Sequence, residues 1–98
     1  MGLDEEGTRE GAVIVIPMLA EIERILLREW DPIGVDGIPE AADEYDSYAF
    51  ELFAMFQTPT RPSIHEIEAY LGQVQTEWMG LKLTPERNHR AASLIAAL

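Results

Sequence analysis

Ninety-eight residues allow one domain whose core buries roughly 60–65% of the surface exposed by the unfolded chain. With no cysteine there is neither a disulfide nor a thiolate metal site, a composition that fits a reducing cytoplasm. The net charge is −11, from 18 acids against 7 Lys and Arg. Nucleic acid and anionic membrane are therefore poor partners, because like charge repels phosphate.

Residues 1–11 are polar and glycine-rich without an apolar period, and read as a disordered tail ahead of a single helical domain over 12–98. The β-branched run Val13–Ile16 reads as a short strand or, since no second run exists to pair with it, as a lead-in to the first helix. The apolar stretch from Ala12 to Ala20 is broken by Pro17 and falls short of the about 20 residues that a membrane span needs. Acids before it (Asp4, Glu5, Glu6, Glu10) also contradict the basic start of a signal peptide.

A first helix is predicted from about Ile16 to Trp30, with Leu19, Ile22, Leu26 and Trp30 on one face and Glu21, Arg24 and Arg28 opposite. Asp31-Pro32 ends it, since proline disfavours helical geometry in the residue before it. A loop over Ile33–Ile38 leads to a second helix, from about Pro39 or Ala42 to Gln57, with Tyr45, Tyr48, Ala49, Leu52, Phe53 and Phe56 inward. Pro59 and Pro62 make a stiff connector. Ser63 and Glu66 have capping-box spacing and open a third helix, whose stripe is Ile64, Ile67, Leu71, Val74 and Trp78 and whose stop is Gly80. Thr84 and Pro85 are placed as N-cap and first residue of a fourth helix with Ala91, Leu94, Ile95 and Leu98 inward. The fold class is all-α, a compact antiparallel bundle of three to four helices with a disordered N-terminal tail.

No catalytic constellation accompanies these helices. His65-Glu66 begins like the helical zinc-protease motif, but Ala69 stands where its second histidine belongs. Ser47, Ser63 and Ser93 lack a nucleophile elbow, and there is no phosphate-cradling glycine loop, so no cofactor is implied. The charge distribution is more informative. From Glu29 to Thr60 there is no Lys or Arg, while eight acids fall in that window. Asp43 and Asp46 can face one another at i,i+3 and then need compensation, from a metal, from Arg87 or Arg90, or from a tyrosine hydroxyl.

The segments Trp30-Asp-Pro-Ile-Gly-Val35 and Asp43-Glu-Tyr-Asp-Ser-Tyr48, with Met79-Gly-Leu81 later, resemble a family of short bacterial proteins of unknown function with a WDPIGV…DEYDxY signature. The resemblance covers about residues 15–98. It implies a small all-α protein of the bacterial cytoplasm without an assigned activity, and directs attention to the signature between Asp31 and Tyr48. The leading expectation is a non-enzymatic interaction domain that binds a basic protein, as an immunity protein would, through Asp31, Asp36, Asp43, Glu44, Tyr45, Asp46 and Tyr48. The alternative is a small metal-binding protein or metal-dependent enzyme on the same acids, Asp31, Asp36, Asp43, Glu44 and Asp46. Self-association as a homo-oligomer through the Trp30, Phe53 and Phe56 surfaces is a third expectation.

Overall fold

The computed structural model describes residues 17–98, and the expectations for the tail and for Val13–Ile16 lie outside them. Every regular element among the described residues is helical. Helix α1 is α-helical over 17–25 and continues as a π turn, Leu26–Trp30. Helix α2 is Asp46–Met55, and α3 is Ile64–Gln73, prolonged by a second π turn, Val74–Trp78. Helix α4 is Pro85–Ala96.

Both π turns close on a hydrogen bond reaching back five residues, Asp31 N–H to Leu26 O at 2.8 Å and Met79 N–H to Val74 O at 2.9 Å. The wider turn rotates the side chains beyond it away from α-helical spacing. In α3 Gln75, four residues on from Leu71, lies in the core at 1% exposed, while the turn leaves Trp78 at 57% exposed. The expected inward stripe of α3 is thus correct for Ile67, Leu71 and Val74 and wrong at its two ends, where Ile64 in the first turn and Trp78 in the π turn are exposed.

The second helix begins later than predicted. Pro39–Ala41 forms a single 3₁₀ turn and residues 42–45 are turns, so regular helix starts only at Asp46. Ser63 and Glu66 form the predicted reciprocal capping box, with Ser63 N–H donating to Glu66 Oε1 at 2.8 Å and Glu66 N–H to Ser63 Oγ at 3.1 Å. The chain leaves α3 at Gly80, where φ is +68°, a conformation a Cβ would oppose.

The core joins Ile22, Ile25, Leu26 and Trp30 of α1 to Ala49 and Leu52 of α2, Ile67, Leu71 and Val74 of α3, and Ala91, Ala92 and Ile95 of α4. Burying each Leu or Ile side chain contributes on the order of 2 kcal/mol. Leu94 and Leu98, expected inward, are exposed; Ala92 and Asn88 take the inward positions instead. The small alanines bring α4 close to its neighbours, and Gly72 does the same from α3. A Cβ on Gly72 would meet Leu83 Cδ1 at 3.3 Å and Asn88 Nδ2 at 3.8 Å, which explains a helical glycine that costs about 1 kcal/mol in propensity.

Helices α3 and α4 form an antiparallel hairpin. Arg61, just ahead of α3, donates to the backbone oxygens of Ala96 (3.2 Å) and Leu98 (2.6 Å) at the far end of α4, and its guanidinium lies 5.0 Å from the centre of the Phe56 ring. At the opposite end, Gln75 meets Thr84 and Asn88. The end of α1 docks on the beginning of α4, with Arg90 Nε 2.9 Å from Glu29 Oε1 and Arg87 reaching the Asp31 carbonyl at 3.5 Å.

Candidate functional site at the acidic end

The seven residues singled out from the sequence divide into a buried framework and an exposed rim. Asp31 belongs to the framework. It adopts a left-handed conformation (φ 31°, ψ 62°), and its carboxylate closes the loop after it. Oδ1 accepts from Gly34 N–H at 3.0 Å, Val35 N–H at 2.8 Å and the Tyr45 hydroxyl at 2.7 Å, and Oδ2 accepts from Asp36 N–H at 3.1 Å. Burial pushes the Asp31 carboxyl up, but the bonds from Val35, Tyr45, Asp36 and Gly34 together outweigh it and hold the group below the usual carboxylate range. Tyr45 is itself 2% exposed, and its hydroxyl also accepts from Ile33 N–H at 3.2 Å. Burial first, then its bond to Asp31, raises the Tyr45 phenol well above its ordinary value, so it serves as a hydrogen-bond donor. Asp31 and Tyr45 are thus spent on shaping the loop.

Asp46 is half-buried and stands near Glu23 of α1. Burial, then the Asp46 charge and a hydrogen bond with it, raise the Glu23 carboxyl. An acid raised in the folded state contributes stability that is present below its ordinary value of 4.5 and lost as pH rises through the folded value. Glu23→Gln should therefore stabilise the protein by a few tenths of a kcal/mol at pH 7 and by nothing at pH 4. Denaturant melts at the two pH values check this; an equal gain at both would place the effect elsewhere.

Asp36, Asp43 and Glu44 are exposed, with Glu40 and Glu51 beside them in sequence. The basic residues of α4 do not reach them, because Arg90 pairs with Glu29 and Arg87 with the Asp31 carbonyl. Among the described residues, none of these five acids is in a salt bridge. Nor do three His, Cys, Asp or Glu side chains among the described residues come together as metal ligands would, and Asp31 has both carboxylate oxygens engaged internally.

Tyr48 lies between framework and rim. It joins an aromatic series in which Trp30 and Tyr45 are tilted at 5.3 Å, Trp30 and Tyr48 meet edge-on at 6.3 Å, and Trp78 stacks with Tyr48 at 6.2 Å. Tyr70 meets Trp78 edge-on at 6.1 Å. The Tyr70 hydroxyl is buried without a protein hydrogen-bond partner, and burial, then Glu51 and Tyr48, push it up to about 12. Next to this series, Ile33, Glu44, Tyr48, Met79 and Leu81 line an open pocket of about 420 Å³. It brings together the loop, the residues leading into α2 and the segment after α3. A larger groove of about 720 Å³ runs between α3 and α4 past His65, Glu68 and His89, where His89 Nδ1 is 3.1 Å from Glu68 Oε1.

Sequence reasoning missed a buried polar chain. Trp30 Nε1 donates to Asn88 Oδ1 at 3.0 Å, Asn88 Nδ2 to Gln75 Oε1 at 3.1 Å, and Gln75 Nε2 to Thr84 Oγ1 at 2.9 Å. The Thr84 hydroxyl is in this chain and makes no N-cap bond, contrary to the sequence expectation. A polar residue at an otherwise apolar helical position is the one signal that pointed to Asn88. Of the three residues expected to mediate self-association, Trp30 is fully buried and Phe53 and Phe56 pack half-buried on the core. No helix among the described residues is long and apolar enough to cross a membrane. In comparisons with family models, with curated proteins and with solved structures, the chain matches none.

Proposed function

We propose that this chain is a non-enzymatic interaction domain of the bacterial cytoplasm whose acidic end takes a basic protein partner. The observation that carries the reading is the composition of one surface. Asp36, Asp43 and Glu44 are exposed and in no salt bridge among the described residues, and Glu44 lines an open pocket together with the exposed apolar side chains of Ile33 and Leu81. Exposed apolar side chains beside an unpaired carboxylate suit a partner with complementary basic and apolar positions. Inhibition of a basic enzyme, as by an immunity protein, is the special case in which the partner's own site is covered.

An amphipathic helical peptide, with leucines on one face and lysines and arginines on the other, tests this. It should bind at low ionic strength and lose about tenfold or more in affinity between roughly 0.05 and 0.3 M salt. Asp43→Lys should abolish binding, while Glu86→Lys on α4 should leave it intact. Asp46→Lys is a poor test, because Asp46 is half-buried beside Glu23 and the change would also alter that contact. Binding indifferent to salt, or to Asp43→Lys, would overturn the reading.

A further inference from the structure

We propose that the pocket lined by Ile33, Glu44, Tyr48, Met79 and Leu81 receives an arginine side chain of the partner. This rests on the reading of the acidic end as an interaction surface and gives that surface its anchor. At about 420 Å³ the pocket is large enough for one long side chain and too small for a helix. Ile33, Met79 and Leu81 offer apolar walls to three methylenes. Tyr48 offers an aromatic surface to a planar cation, and its place against Trp78 holds the ring still. Glu44 supplies the only charge in the lining and has no ion-pair partner among the described residues. Three apolar walls, one aromatic ring and one unspent carboxylate select for a cation that is weakly hydrated and flat. Guanidinium meets that description better than ammonium, since it sheds water more readily, stacks on aromatic rings and matches a carboxylate with two parallel bonds. The pocket is also built at its back. The Ile33 N–H is held by the Tyr45 hydroxyl, and that hydroxyl by Asp31, so the loop wall is fixed before a ligand arrives.

The test uses the full chain and three small probes, the N-acetyl methylamides of arginine, lysine and citrulline, monitored by backbone amide chemical shifts. The arginine probe should move the signals of Ile33, Glu44, Tyr48 and Leu81 in a saturable manner. Lysine should bind more weakly, and citrulline, the neutral analogue of the same shape, should not bind. Glu44→Gln, an exposed change that removes no hydrogen bond of the fold, should weaken the arginine probe about fivefold. Leu81→Gln should weaken it through the apolar wall alone. Equal binding of arginine and citrulline, shifts on another face, or an unchanged response in Glu44→Gln overturns the assignment. The interaction reading itself stands or falls separately, on the salt-dependent binding of the amphipathic peptide and its loss in Asp43→Lys.

Discussion

Asn88→Ala will destabilise the protein by about 3–4 kcal/mol, because each donor or acceptor stranded in a dry core costs about 1–3 kcal/mol. Asn88 is 1% exposed and sits at the junction of three segments. Its carbonyl takes the Trp30 indole proton at 3.0 Å, and its amide gives a proton to Gln75 Oε1 at 3.1 Å. Truncation leaves the indole N–H with no acceptor and the Gln75 carbonyl with only a long contact, 3.4 Å, from Thr84 N–H. For a domain of this size each kcal/mol lowers the melting temperature by about 4–8 °C, so the loss is readily measured. A double-mutant cycle isolates the bond. Trp30→Phe should cost at least about 1 kcal/mol less in the Asn88→Ala background than alone, because the donor it removes is already stranded there. Additive losses would mean that the indole contributes only its bulk. Asn88→Asp should also fail at pH 7, since a buried carboxylate accepts from Trp30 but cannot donate to Gln75, and the variant should recover part of its stability on acidification.

The second large effect is expected at Asp31. Asp31→Ala removes the acceptor for three backbone N–H groups and for the Tyr45 hydroxyl, and places a Cβ without polar compensation at a left-handed position. The expected loss is about 2–3 kcal/mol, of which Asp31→Gly should restore about 1 kcal/mol by relieving the backbone conformation. Asp31→Asn keeps one oxygen and should cost about 1 kcal/mol at neutral pH. The sign with pH is determined by the lowered carboxyl. A group lowered in the folded state contributes its stability above its ordinary value of 3.8 and loses it as pH falls through the folded value. The wild type's advantage over Asp31→Asn should therefore be constant from pH 5 to 8 and shrink below pH 4. An advantage unchanged at pH 3 would assign the effect to loop geometry instead of charge. Loss of loop order should also weaken the arginine probe, because the Ile33 wall depends on the same bonds.

Much of this fold is legible where local chemistry decides the outcome. Ser63 and Glu66 satisfy each other's N–H groups whatever surrounds them, and Gly80 takes a positive φ that the chain needs after α3. The buried face of α1 is also set by spacing, because Ile22, Leu26 and Trp30 lie inward together. Spacing fails at positions where tertiary contacts override local rules. A 3.6-residue period assumes α-helix throughout, so the π turn ending at Trp78 reverses the assignment of Trp78. Asn88 and Gln75 look like surface residues because the partners that satisfy them come from other segments. The acidic window likewise does not sort its own members into framework and rim. Asp31 and Asp43 are the same residue type, and what separates them is the set of N–H and O–H donors that the folded chain gives Asp31.

The Arg61 contacts limit how this chain can be exchanged between molecules. Two pairs of helices joined by a short linker, as between α2 and α3, are a ready candidate for domain swapping, in which two copies trade identical halves through an opened connector. Here the connector carries Arg61, whose guanidinium is tied to the Ala96 and Leu98 oxygens and lies over Phe56. To open, the linker must release the far end of α4 and uncover an aromatic ring together, and Pro59 and Pro62 stiffen the path it would take. The residues that join the two halves are thus also the ones that such an opening would have to disturb.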